Sequence, residues 1–158
     1  MDERRAAGML MGLTYASGTA GVVWGMGVAF TANPDLRWPC FLAVGISGLL
    51  SWVRHSVLHR GDALRMGWDT GTTNPFQIEV GLANLAWGLF AILAVLLSWG
   101  LAAYAAAFLV NGIYMAAVGI YKAIRAANGQ QDWRTVFAAA SWGVVMIIIG
   151  AAGMAALP

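Results

Sequence analysis

Charge is spread so unevenly along this chain that its uncharged stretches divide it more clearly than any motif does. Met9 to Phe30 runs 22 residues without a charge, and a helix needs about 20 apolar residues to cross the hydrocarbon core of a bilayer. A basic start ahead of an apolar run also opens a signal peptide, but the apolar core there is only about 7 to 15 residues, so this stretch is read as a retained first span. Pro39 to Val53 is uncharged and continues through Arg54 to Leu58, a second span with a polar end where Arg54 can keep its head in water while its stem lies on apolar surface. Val80 to Tyr121 has 42 uncharged residues; as one helix it would be about 63 Å long, twice the bilayer core, so it must fold back. Ser98-Trp99-Gly100 is the predicted corner, with Gly100 free to take positive φ and Trp99 suited to the interface. Thr135 to Pro158 completes the pattern. The expected fold is all-α: a single domain over residues 1–158, an integral membrane bundle of five transmembrane helices near 9–30, 39–58, 76–98, 101–122 and 135–157.

Composition agrees. Hydrophobic residues make up 60% of the chain and charged ones 10%, against about 25% charged in soluble domains, and the mean hydropathy is +0.70. The net charge of +2 is too small to suggest nucleic acid, and its placement says more. With five spans and a cytoplasmic N-terminus, Arg4, Arg5, Arg54, Arg60, Arg65, Lys122, Arg125 and Arg134 fall on the cytoplasmic side and only Arg37 outside. Cytoplasmic loops carry the excess of Lys and Arg, so the C-terminus is expected outside and the protein in the inner (cytoplasmic) membrane as a multi-pass chain. The one cysteine, Cys40, cannot form an internal disulfide; it is read as a packed thiol, with a reactive one as the alternative. Glycine pairs at spacings of four or seven (Gly21 and Gly25, Gly81 and Gly88, Gly112 and Gly119, Gly143 and Gly150) let helix backbones approach, inside the chain or between subunits.

This topology brings the end of span two and the start of span three to the same side of the membrane. Along span two, Gly48, Ser51, His55, His59 and Asp62 follow steps of three and four; along span three, Gln77, Gly81, Asn84 and Gly88 do the same. Two such polar stripes avoid lipid by facing each other. The start of span three reads as a capping box, with Asn74 as N-cap, Pro75 at the first helical position and Gln77 three residues after the cap. In that reading Gln77 and Glu79 serve the helix end, Glu79 near the positive pole of its dipole; in the other they face a ligand. Asn84 lies deeper and either bonds across to Asn111 in span four or contacts a ligand. His55 and His59, four residues apart, are a weak metal pair that Glu79 would complete, although Arg54 and Arg60 beside them oppose a cation. The alternatives are interfacial hydrogen bonding and a site for an anion or lipid headgroup. The loop from Gly61 to Thr73, with Arg65, Trp68 and Asp69, is either a basic loop beside an anionic leaflet, anchored by Trp68, or a lid over the site.

The segment carrying Gly67, Trp68, Pro75, Phe76, Gln77, Glu79, Val80, Gly81, Ala83, Asn84 and Leu85 resembles a family of small bacterial and archaeal polytopic membrane proteins known as a domain of unknown function. The likeness covers the middle third and continues, weaker, through Phe108–Gly119 and Asn128-Gly129, while the first span departs from it. It implies a membrane fold and no mechanism. The tryptophan-rich sensory protein family is set aside because its Trp- and Pro-rich first loop is missing here, and the small multidrug exporters because span one holds no acid.

No catalytic set and no cofactor emerges from these residues, so enzyme activity is not the expected role. The leading expectation is an accessory or assembly subunit of a membrane complex, its partners being the bilayer and other membrane subunits or further copies of itself. The alternative is binding or transport of a small polar or anionic molecule, with His55, His59, Arg60, Trp68, Gln77, Glu79, Asn84 and Asn111 as candidate contacts. A His/Glu metal site is the third.

Overall fold

A computed structural model describes residues 2–66 and 71–158. Five helices in it are long and apolar enough to cross a membrane: α1 (Glu3–Ala29), α2 (Arg37–Val57), α4 (Pro75–Leu96), α5 (Leu101–Ala127) and α6 (Trp133–Ala155). A short helix, α3 (His59–Met66), follows α2. No strand occurs among the described residues, and the chain is a multi-pass helical membrane protein.

Local chemistry sets the helix ends. Side chains of Asp2, Asn74 and Asp132 accept hydrogen bonds from the backbone N–H of Arg4, Gln77 and Arg134, each meeting an N–H that has no partner inside its own helix. The corner between α4 and α5 falls at Ser98-Trp99-Gly100, where Ser98 and Gly100 both take positive φ (53° and 92°). Arg37 donates from Nη2 to the Val95 carbonyl at 3.1 Å, a second bond to an acceptor that also takes the Ser98 backbone N–H at 3.3 Å.

The second span departs from the straight helix expected to reach Leu58. It contains two π-helical turns, Phe41–Ile46 and Val53–Val57, and breaks at Leu58 (φ −101°, ψ 33°) before α3 begins. The stretch expected as loop from Gly61 is therefore helical as far as Met66.

Successive spans are antiparallel and cross closely. A Cβ on Gly48 of α2 would stand 2.8 Å from the Gly88 Cα of α4, and one on Gly143 of α6 would stand 2.5 Å from the Ala116 backbone N of α5. All eight of the paired glycines face a neighbouring helix of the same chain, so their small size serves internal packing. Cys40 is fully buried. The bundle has two parts: α1, α2, α3 and α4 pack together, and α5 and α6 form a hairpin in contact along its length. The parts join at the end remote from α3. The apolar core there includes Val22, Leu36, Val44, Val95, Phe108 and Met146; Leu36 just precedes α2, and every other member lies in the half of its span away from α3. At the α3 end, α3 and the Val53–Val57 turn pack on α1, α2 and α4 and make no extensive contact with the hairpin.

Gly48→Ala should lower stability by about 1–3 kcal/mol, the usual range for forcing atoms into a packed contact. Gly12→Ala, where nothing lies within 4 Å of the added carbon, should cause no loss; thermal unfolding in mild detergent compares the two.

Candidate functional site

The polar centre of the molecule is Asp62, 0% exposed, on α3, a helix that packs against α1. Gly61 permits that packing, since a Cβ there would lie 2.6 Å from the Glu3 carbonyl oxygen. Oδ1 of Asp62 accepts from Arg65 Nη2 at 3.0 Å and Nε at 3.3 Å, and from Arg54 Nη1 at 3.4 Å. Oδ2 accepts from Gln77 Nε2 at 3.3 Å and lies 2.9 Å from His55 Nδ1. Three helices thus end on one carboxylate.

The partners decide the histidine tautomers. Arg54 Nη2 lies 2.9 Å from His55 Nε2; a guanidinium offers only donors, so Nε2 accepts and the imidazole proton sits on Nδ1, toward Asp62. His59 Nδ1 lies 3.2 Å from the Ser56 carbonyl and must donate to it, so that in the neutral imidazole Nε2 is an acceptor. Four buried side-chain atoms here have no aligned hydrogen-bond partner: Arg54 Nε, His55 Nδ1, His59 Nε2 and Gln77 Oε1. The Nδ1 contact to Asp62 is close but off the hydrogen-bonding axis. With neutral imidazoles two of the four are donors and two are acceptors, each costly to leave unmet in a buried site.

Asp62 lies in α3, outside the five spans. Burial pushes its pKa upward, but His55, Arg54 and Arg65 together outweigh that and hold it below the ordinary value of 3.8. The cluster of Arg54, Arg65 and Asp62 keeps one net positive charge, with both guanidinium side chains only partly exposed (12% and 20%).

Several expected contacts fall elsewhere. Asn74 caps α4 as anticipated, but the Gln77 side chain does not return to the cap; it is buried against Asp62. Glu79 is exposed, because two residues turn a helix by about 200° and Gln77 and Gly81 already face α2. Arg60 is exposed too, while Arg54 and Arg65 hold the carboxylate. His55 and His59 are not stacked on one helix, since the π turn and the break at Leu58 come between them. Among the described residues no three His, Cys, Asp or Glu side chains converge as a metal set, so His55, His59 and Glu79 are not brought together. Asn84 donates to the Val80 carbonyl at 2.8 Å and accepts from Trp87 Nε1 at 3.4 Å rather than meeting Asn111, which makes no side-chain hydrogen bond among the described residues. Trp68 lies outside the described residues. Asp62 was not among the expected contacts, although it is the one acid on the stripe that runs from Gly48 through His55.

Five apolar helices with a carboxylate–guanidinium hub at one end define a polytopic helical membrane protein with a buried polar site. The chain belongs to a family of unknown function (DUF6790), matched over residues 7–154, which takes in all the hub residues. No curated protein and no solved structure matches it.

Asp62→Ala should cost about 3–5 kcal/mol, since it leaves Arg54 and Arg65 buried beside each other without their counter-ion. Asp62 also makes stability depend on acid. Its folded pKa lies below its unfolded one, so its contribution is complete above the unfolded value, fades as pH falls past it, and is gone below the folded value. Unfolding measured from about pH 6 downward should show a steeper acid loss in the wild type than in Asp62→Asn.

Proposed function

We propose that the α3 end of this protein binds a small oxyanion that also carries a hydroxyl group. The carrying observation is the hub itself: one surplus positive charge together with buried donors and acceptors that the chain leaves unmet. An oxyanion answers the charge and the Arg54 Nε donor; a hydroxyl proton answers His59 Nε2 or Gln77 Oε1. The π turn that carries Arg54 and His55 supports the same reading, because such irregular turns recur at functional sites. The crowding of Lys and Arg at this end supports its facing the cytoplasm, with the C-terminus on the other side of the cytoplasmic membrane. Arg54, His55, His59, Arg65 and Gln77 are the binding residues in this proposal. Asn84 stands one helix turn beyond Gly81, deeper along α4.

A second reading, an accessory or self-assembling subunit, draws on a separate feature. The α5–α6 hairpin carries an apolar groove of about 320 Å³, lined by small side chains including Ala116, Gly119, Ala123 and Ala140. Native mass spectrometry of protein released from its own membrane separates the two: a co-travelling polypeptide or second copy speaks for the groove, a small anion for the hub.

The binding proposal is tested by thermal unfolding in detergent with phosphate, sulfate or a hydroxycarboxylate against chloride at equal ionic strength. A binding anion should raise the midpoint, since a ligand at 100 times its Kd adds about 2.7 kcal/mol. Arg65→Gln, which leaves Asp62 paired with Arg54, should weaken that anion's binding about tenfold, the effect of losing roughly one charge-assisted hydrogen bond. If no anion in the series differs from chloride, the proposal fails.

A further inference from the structure

One contact in the Asp62 hub holds only while an imidazole is neutral. Arg54 Nη2 stands 2.9 Å from His55 Nε2. A guanidinium offers no acceptor, so this bond uses the lone pair of the ring nitrogen. The other ring nitrogen, Nδ1, lies 2.9 Å from Asp62 Oδ2, and Arg54 reaches the second oxygen of the same carboxylate through Nη1 at 3.4 Å. Arg54, His55 and Asp62 therefore close a ring of three contacts, with the buried Arg54 Nε left without a partner.

A proton on His55 alters this ring at one place. Imidazoles change charge between about pH 5 and 8. At Nδ1 the change is favourable, because the imidazolium faces a carboxylate. At Nε2 a new N–H faces the Arg54 Nη2 N–H with no acceptor between them, and a buried donor without a partner is costly. An oxyanion oxygen supplies that acceptor once the Arg54–His55 contact opens, taking the proton of His55 Nε2 and one from Arg54 Nη2 or Nε. Charge acts in the same direction: with His55 protonated, Arg54, Arg65 and His55 stand against Asp62 alone. The other titratable groups near the hub come from each neighbouring helix. From α1, the Tyr15 phenol is within electrostatic range of Arg54, and Glu3 borders Gly61. From α4, His55 meets Gly81, where an added Cβ would stand 3.1 Å from the His55 Cβ, while Glu79 is exposed. On α3, His59 is tied to the Ser56 carbonyl and Arg60 is exposed.

We infer that the hub takes up its oxyanion together with one proton, which goes to His55 Nε2 while the anion oxygen lies against Arg54 and His55. The inference rests on the anion-binding reading and adds its regulation by pH. The step is a simple protonation: a solvent proton adds to the Nε2 lone pair, the ring becomes an imidazolium, and no other covalent bond changes. Coupling between two bound species is reciprocal. The anion should therefore bind more tightly as pH falls through the imidazole range, and its binding near neutral pH should draw a proton onto His55. A site made of Arg54 and Arg65 alone would be indifferent to pH over that range, because guanidinium groups keep their charge.

The test titrates lactate, sulfate and phosphate calorimetrically into the full chain in mild detergent at pH 8, 7 and 6, each in two buffers of different ionisation enthalpy so that protons taken up are counted. Lactate and sulfate keep their charge across this range; phosphate, which titrates itself, is read as the difference between wild type and His55→Gln. An anion that binds should do so about tenfold more tightly at pH 6 than at pH 8, the effect of roughly one added charge-assisted hydrogen bond, with proton uptake near pH 7. His55→Gln, which keeps an acceptor for Arg54 but takes no proton, should lose both the pH dependence and the uptake. The chain has two histidines, and nitrogen NMR of their rings in the wild type should show one become an imidazolium when the anion is added at pH 7, a reading that stands even if the variant does not fold. Anion binding of equal strength at pH 8 and pH 6, without proton uptake or an imidazolium signal, overturns the proton coupling and leaves the anion-binding reading intact. Proton uptake that persists in folded His55→Gln overturns the assignment to His55. Absence of binding by all three anions at every pH removes both readings.

Discussion

A carboxylate withdrawn from water must be neutralised where it stands, and the α3 end of this protein is arranged around that requirement at Asp62. With no exposed surface, its charge is met by Arg54, Arg65, His55 and Gln77, which come from the end of α2, from α3 itself and from the start of α4. Breaking one buried partner of such a set is strongly destabilising, whereas the complete set adds little over apolar packing. Its effect is to hold three chain segments in one arrangement. The π turn at Val53–Val57 belongs to the same solution, because it ends α2 with Arg54 and His55 both directed at the carboxylate.

The other end of the bundle is held by different means. Apolar side chains from all five spans close a core there, and glycines bring α2 against α4 and α5 against α6 at backbone contact. Within a bilayer, association of helices depends on such close packing, since lipid tails are as apolar as the side chains they would replace. One end is an apolar core; the other gathers the buried polar groups around Asp62.

Much of the architecture was legible in the residues. The five spans, the fold-back at Ser98-Trp99-Gly100 and the Asn74 cap all rest on local rules: hydrocarbon thickness, positive φ and unpaired helix-end N–H groups. The stripe through Gly48, Ser51, His55 and Asp62 pointed to the right face. What misled was the assumption of a regular helix beyond Trp52. A π turn followed by a break at Leu58 invalidates four-residue spacing, so His55 and His59 part company and Asp62 turns inward from a separate helix. Glu79 drew attention as an acid entering an apolar run, yet Gln77 and Gly81 on either side of it already placed it on the opposite face.

Run length and a residue's own backbone freedom were enough to give five helices long and apolar enough to cross a membrane and the corner at Ser98-Trp99-Gly100. Which acid is buried and which arginines neutralise it were settled by contacts between helices. Those outcomes depend on helices distant in the chain meeting at one point, and a single irregular turn is enough to change which side chains arrive there.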